Sequence, residues 1–141
     1  MTITIEKKDL FTVPQGYYLA HCISADFALG AGIAKIFDEV YNMRFKLYRE
    51  YDGYDYNGGD ALLIDNVFNL VTKPRCYHKP GYEDVREALE IMKYIMERNA
   101  TTKLAMPKIG CGLDKLEWDR VYDIICEVFE DTDVEILICE L

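Results

Sequence analysis

Apolar and polar residues alternate over Thr2–Glu6, which predicts a strand. The turn signal Pro14-Gln-Gly16 is followed by Tyr17–Ile23, a run of β-formers that reads as a second strand. Leu29-Gly30-Ala31-Gly32 then opens a helical pattern carried by Ile33, Ile36, Phe37 and Val40. The helix continues, with a break, through Met43 and Leu47. Ala61–Ile64 and Val67–Thr72 flank Asp65-Asn66, two turn-prone residues between apolar runs, and so predict a β-hairpin. Pro80-Gly81 precedes an amphipathic helix with Val85, Ala88, Leu89, Met92, Ile95 and Met96 on one face. Lys103–Met106 is a short strand ended by Pro107. A last helix carries Val121, Ile124, Ile125, Val128 and Phe129, and Val134–Cys139 closes as a strand. This alternation of strands and helices favours an α/β sheet with helices on both faces. One stretch breaks the pattern. Tyr48, Tyr51, Tyr54 and Tyr56 sit among Asp and Gly, as an exposed loop with tyrosines folded back on the core or as an aromatic lid over a ligand.

The length, 141 residues, suits one domain spanning 1–141, with no repeat and no Pro/Ser-rich linker to divide it. Half the residues are hydrophobic, enough for a core and too many for a disordered chain. Twenty-five acidic against sixteen basic residues leave a net charge of −9. That balance opposes non-specific nucleic-acid binding, which rests on neutralising phosphates. It does not oppose a small anion held locally by backbone N–H groups. No run approaches the ~18 apolar residues of a membrane-spanning helix, and the N-terminal residues have no signal-peptide core. Five cysteines without a Cys-x-x-Cys pair read as reduced thiols, so a cytosolic setting is expected. His21 and His78 have no partners at metal-ligand spacing, so no metal site is expected. A monomer is the default expectation.

Two glycine-bearing loops each follow a strand and precede a helix: Ser24-Ala-Asp-Phe-Ala-Leu-Gly30-Ala-Gly32-Ile and Pro107-Lys-Ile-Gly110-Cys-Gly112-Leu-Asp114. Glycines at such junctions let backbone N–H groups approach a phosphate at the positive end of a helix. Each alone is an ordinary tight turn as readily as a site, but two in one small α/β domain suggest a pyrophosphate cradle. Neither matches a P-loop or a dinucleotide fingerprint. Between them lies a basic island, Lys73-Pro-Arg75-Cys-Tyr-His78-Lys79, which is either a solvated loop or an anion site with a nucleophilic lysine. Such a lysine must react as the neutral amine, and Arg75, Lys79 or Lys108 is a candidate cationic neighbour to favour that form. Asp114-Lys-Leu-Glu117 has capping-box spacing, so Asp114 is as good a helix cap as a catalyst. Cys111 fits a small residue in a tight loop, and His21 a packed core histidine.

These runs, with Lys8-Asp9-Leu10-Phe11, Leu19-Ala-His21-Cys22-Ile-Ser24 and Leu70-Val-Thr72-Lys73 followed by His78-Lys79-Pro80, resemble a macrodomain of the terminal ADP-ribose protein glycohydrolase type over nearly the whole chain. The resemblance implies a three-layer α/β/α sandwich with a mixed, mainly parallel sheet, and ADP-ribose as ligand. Asp9 and Leu10 would hold adenine, with Leu141 nearby. Ser24 and Gly30, Ala31, Gly32 and Ile33 would line the phosphate and ribose path. Lys108, Ile109, Gly110, Cys111, Gly112 and Leu113 would wrap the pyrophosphate and distal ribose. Lys73 would be the nucleophile and Asp114 the acid or base, with no metal or cofactor. Pro74 favours an extended backbone at Lys73. The expected activity is removal of ADP-ribose from glutamate or aspartate side chains of proteins, with O-acyl-ADP-ribose as a further candidate substrate. A non-catalytic ADP-ribose reader and a hydrolase of ADP-ribosylated DNA bases are the alternatives.

Overall fold

The computed structural model describes residues 1–141. Six strands form one sheet: β1 (Thr2–Lys7), β2 (Tyr18–Ser24), β3 (Asp60–Ile64), β4 (Val67–Lys73), β5 (Lys103–Met106) and β6 (Glu135–Glu140). Their order is β1-β6-β5-β2-β4-β3. Every neighbouring pair is parallel except β3 and β4, which form the hairpin expected around Asp65-Asn66 with Ile64 opposite Val67. Asp65 turns the chain in the left-handed region, at φ +53°.

The strands explain their own sequences. In β4, Val67 and Val71 pack on one face of the sheet while Phe68 and Leu70 pack on the other. In β2, Leu19 and Ile23 face one side and Ala20 the other. A strand buried on both faces reads as a continuous apolar run, whereas the edge strand β1 alternates and is largely exposed. One face is covered by α3 (Tyr82–Arg98) and α4 (Trp118–Phe129), whose Val85, Leu89, Met92, Val121, Ile125 and Phe129 are fully buried. The other is covered by α1 (Gly32–Tyr41) and α2 (Met43–Glu50). This is the three-layer sandwich. No helix is long and apolar enough to cross a membrane.

The break between α1 and α2 falls at Asn42, whose left-handed φ of +55° ends the first helix. The helical pattern that announced α1 is only partly buried. Phe37 is enclosed, but Ile36 and Val40 stay exposed because α1 meets the sheet through Phe37 and Tyr41. In the tyrosine-rich stretch Tyr48 belongs to α2 rather than to a loop and stays half exposed, while Tyr51, Tyr54 and Tyr56 fold back on the core. Tyr51 donates to the Leu63 carbonyl, Tyr54 to Asp60 at 2.7 Å and Tyr56 to Asp84, so their rings pack while their hydroxyls are satisfied. Burial of these rings pushes the Tyr56 hydroxyl up to about 12.

Candidate active site

All strands but β3 run the same way, so their carboxyl ends share one edge of the sheet. β2 and β5 are neighbours there, and their exits diverge: β2 leads to α1 on one face, β5 to α4 on the other. A crevice must open where two adjacent parallel strands send their loops to opposite faces. It does, as a cleft of about 700 Å³, a size suited to a nucleotide-like ligand.

The β2–α1 loop forms one wall. Ala31 is the N-cap of α1 and offers no side-chain bond to the first N–H groups of the helix. Those donors, at the positive helix end, are free for an anion. A Cβ at Gly30 would meet nothing nearer than the Ala28 carbonyl oxygen at 3.9 Å, and Gly32 requires its glycine through φ +60°. Phe27 and Leu29 also have positive φ, at +52° and +41°, yet both are buried. Such geometry in non-glycine residues costs on the order of 1 kcal/mol or more each and persists only where the surroundings impose it. The β5–α4 loop forms the other wall. Gly110 turns at φ +73°, and Gly112 faces open space. Leu113 reaches across toward Gly32, where a Cβ would stand 3.5 Å from its Cδ1.

Lys73 and Asp114 meet at the end of this cleft. Lys73 Nζ donates to Asp114 Oδ1 at 2.6 Å, with each side chain only 13 % exposed. Lys73 ends β4 beside an irregularity in the sheet. Ile23 pairs with Val71 but Ser24 pairs with Lys73, so Thr72 is bulged out of the ladder. Bulges re-aim side chains near sites. Here Thr72 is buried with its hydroxyl unpartnered, and Lys73 reaches the cleft. Lys79 crosses from the following turn to the opposite loop, donating to the Leu113 carbonyl at 2.9 Å.

The electrostatics of the site are local. Residues 27–37, 66–82 and 99–113 supply fifteen of the nineteen lining residues and contain no carboxylate, in a chain with twenty-five; the one carboxylate in the lining, Asp114, is paired with Lys73. An acidic protein thus keeps an anion-tolerant face.

No protein-family model matches the chain. The bovine protein named ADP-ribose glycohydrolase OARD1 is 43% identical over 143 aligned residues, covering 99% of this chain and 91% of the relative. Its human counterpart is 41% identical with the same coverage. The chain belongs to the macrodomain ADP-ribose glycohydrolases. Solved structures share the fold at lower identity. The macrodomain of Thermus aquaticus DarG superposes with a TM-score of 0.87 at 21% identity, covering 99% of both chains. Thermosipho africanus DarTG, solved in complex with ADP-ribose, has a TM-score of 0.74 at 16% identity over 98% of this chain and 41% of that one.

In the glycohydrolase the cleft brings together Ser24, Gly30, Ala31, Gly32, Ile33, Lys73, Ile109, Gly110, Gly112, Leu113 and Asp114. Five expected residues lie outside its lining. Asp9 caps a short 3-10 turn, accepting from Phe11 N–H at 3.0 Å, and Leu10 is buried behind it. Leu141 is fully exposed. These three stand at the β1–β6 end of the same sheet edge, away from the β2–β5 crevice. Lys108 is turned to Glu140 at 2.8 Å and over the Trp118 ring. Cys111 turns its thiol back to the Ile109 carbonyl at 3.3 Å.

Two readings of Asp114 and Lys73 are corrected. Asp114 does not cap α4: the N-cap is Glu117, and the Asp114 carboxylate is spent on Lys73. The charged group in contact with Lys73 is a carboxylate, not Arg75, Lys79 or Lys108. The residue that sequence reasoning missed is Asp26. Burial pushes its carboxyl up, but hydrogen bonds from Ser24, Cys76 and Ala28 outweigh that and hold it below the ordinary range. Its partners lie two residues and fifty residues away, and no local pattern marks the second.

Proposed function

We propose that this glycohydrolase releases ADP-ribose from glutamate and aspartate side chains of proteins, with Lys73 as nucleophile and Asp114 as its proton acceptor. The observation that carries this reading is the 2.6 Å Lys73–Asp114 contact, sheltered at the end of a cleft whose walls are two anion-tolerant glycine loops. The pyrophosphate would lie between the N-terminus of α1 and the Gly110–Leu113 loop. That placement sets the distal ribose beside Lys73.

An amine attacks only through its lone pair, so the ammonium must first lose a proton. Asp114 Oδ1 already holds that N–H and takes the proton as the amine closes on the anomeric carbon. The new bond joins Lys73 Nζ to that carbon. The bond that breaks joins the carbon to the ester oxygen, and the electron pair leaves with the substrate carboxylate, a good leaving group. Asp114, now protonated, gives its proton to solvent. Its restored carboxylate takes one from the water that attacks the same carbon and passes it to the departing Lys73 amine, so the cycle closes with one proton released. The amine departs and ADP-ribose is released. Holding the amine against the reacting carbon turns a bimolecular step into an internal one.

The test is release of ADP-ribose from a glutamate-modified protein by wild type, Lys73→Ala and Asp114→Ala. Release by wild type, loss of roughly 10³-fold or more in both variants, and retained ADP-ribose binding by Lys73→Ala would support the mechanism. Wild-type turnover by Lys73→Ala would sink it. The exposed Arg75, Tyr77 and His78, free of carboxylate partners in the turn whose Cys76 and Lys79 line the cleft, favour a second reading in which the acceptor is a DNA base. Release from modified single-stranded DNA but not from protein would select it. Tight ADP-ribose binding with no release from either substrate would leave a reader.

A further inference from the structure

We propose that Asp26 is a positioning residue for the reaction, tying the phosphate loop to the turn that follows Lys73. The proposal rests on the reading of Lys73 given above. Three donors converge on one carboxylate. Ser24 Oγ donates to Asp26 Oδ1 at 2.5 Å and Ala28 N–H to the same oxygen at 3.2 Å. Cys76 N–H donates to Oδ2 at 3.0 Å. The first two donors belong to the β2–α1 wall of the cleft. The third belongs to the turn after β4, three residues beyond Lys73. Ser24, Ala28 and Cys76 all line the cleft.

Asp26 is out of place by charge. It sits at a loop that offers N–H groups to an anion, beside acid-free segments, and no lysine or arginine pairs with it. A carboxylate there repels a pyrophosphate, so its use must be geometric. Only a carboxylate presents acceptors on both oxygens and asks for no acceptor in return. The same junction is reinforced from the backbone, where Ala25 N–H bonds to the Lys73 carbonyl at 2.9 Å. From outside, Tyr48 donates to the Asp26 carbonyl at 2.9 Å and Arg44 Nε to the Phe27 carbonyl at 3.0 Å. These ties over-determine a loop whose Phe27 and Leu29 adopt positive φ against local preference. They also place the end of β4, and Lys73 with it, relative to the loop that would hold the phosphates.

Asp26→Asn separates the two halves of this role. The amide keeps one oxygen for Ser24 and Ala28 but turns an NH2 toward the Cys76 N–H. The phosphate loop is retained while the Lys73 turn is released. In the ester-release assay Asp26→Asn should lower kcat roughly 10- to 100-fold, the scale of a small misplacement of a reacting group. ADP-ribose affinity should stay within about threefold. Asp26→Ala, lacking both oxygens, should lose affinity as well. An Asp26→Asn enzyme with wild-type kcat overturns the proposal. So does one in which kcat, affinity and melting temperature fall together, because that is a structural residue only. Amide hydrogen exchange on the wild type gives a check that needs no variant. The Cys76 amide, in an exposed turn, should be protected, and free exchange there also refutes the tie. A wild type that releases nothing from esters would overturn the function proposed above, while Cys76 protection would still report on Asp26.

Discussion

Acid should destabilise the protein through His21, by an amount that the structure sets. The ring is fully buried on β2 and stacks on Phe37 at 4.0 Å between centroids. Its Nε2 lies 2.6 Å from Asn69 Oδ1. Asn69 Nδ2 donates to the Leu62 carbonyl at 3.1 Å, so the amide oxygen faces the histidine and Nε2 is the protonated nitrogen. Nδ1 has no partner and would have to take the second proton in an apolar setting. Burial therefore pushes His21 down from 6.5 to about 4, although the Asn69 bond favours the cation. Between those values the unfolded chain carries a proton that the folded chain does not, so stability falls as pH falls. The loss relative to neutral pH is roughly 2–3 kcal/mol by pH 4.5 and about 3 kcal/mol in the limit. The assay is urea unfolding of wild type and His21→Gln at several pH values from 7.5 to 4.5. His21→Gln will cost stability at neutral pH, since it loses the stacked ring. The carboxylates titrate alike in both, so the difference between the two proteins isolates His21. That difference should shift in favour of the variant by roughly 2–3 kcal/mol, on the order of 10 °C in Tm. A difference that stays constant across this range would refute the reasoning.

Gly59→Ala should cost about 3 kcal/mol or more, since its Cβ would stand 2.0 Å from the Asp84 carbonyl oxygen and 2.8 Å from Ala88 N, backbone atoms that cannot step aside; a thermal melt near wild type would contradict that contact. Gly30→Ala, with nothing nearer than 3.9 Å, is the folded control. Alkylation should be uneven: Cys76 is exposed and should react first, with ADP-ribose slowing it because it lines the cleft. Cys22, pushed up to about 12 by burial and by the Asp114 carboxylate, should stay unlabelled at pH 8. Mass spectrometry showing Cys22 modified as fast as Cys76 would reject that picture.

What the chain's own pattern decides is the set of elements. The β3–β4 hairpin was legible because Asp65-Asn66 separates two apolar runs, and α3 because its apolar residues recur at helical spacing. β4 was legible as a strand but not as one buried on both faces, since a continuous apolar run does not say where its neighbours lie. The glycine loops were legible as loops. Gly32 and Gly110 are needed for their left-handed backbone, whereas Gly30 and Gly112 leave room beside the cleft, and the sequence does not tell these uses apart.

Tertiary structure decided the rest, and the reason is distance along the chain. Lys73 and Asp114 are 41 residues apart, and either one alone supports a bland reading, solvated lysine or helix cap. They meet because β2 and β5 are neighbours whose loops leave on opposite faces, and because the bulge at Thr72 sets the end of β4. Asp26 is joined to Cys76 across 50 residues by the same sheet. Local propensity depends on neighbours within a few positions and so is written in the sequence. A site assembled from the carboxyl ends of several parallel strands depends on strand order, which only the packed sheet supplies.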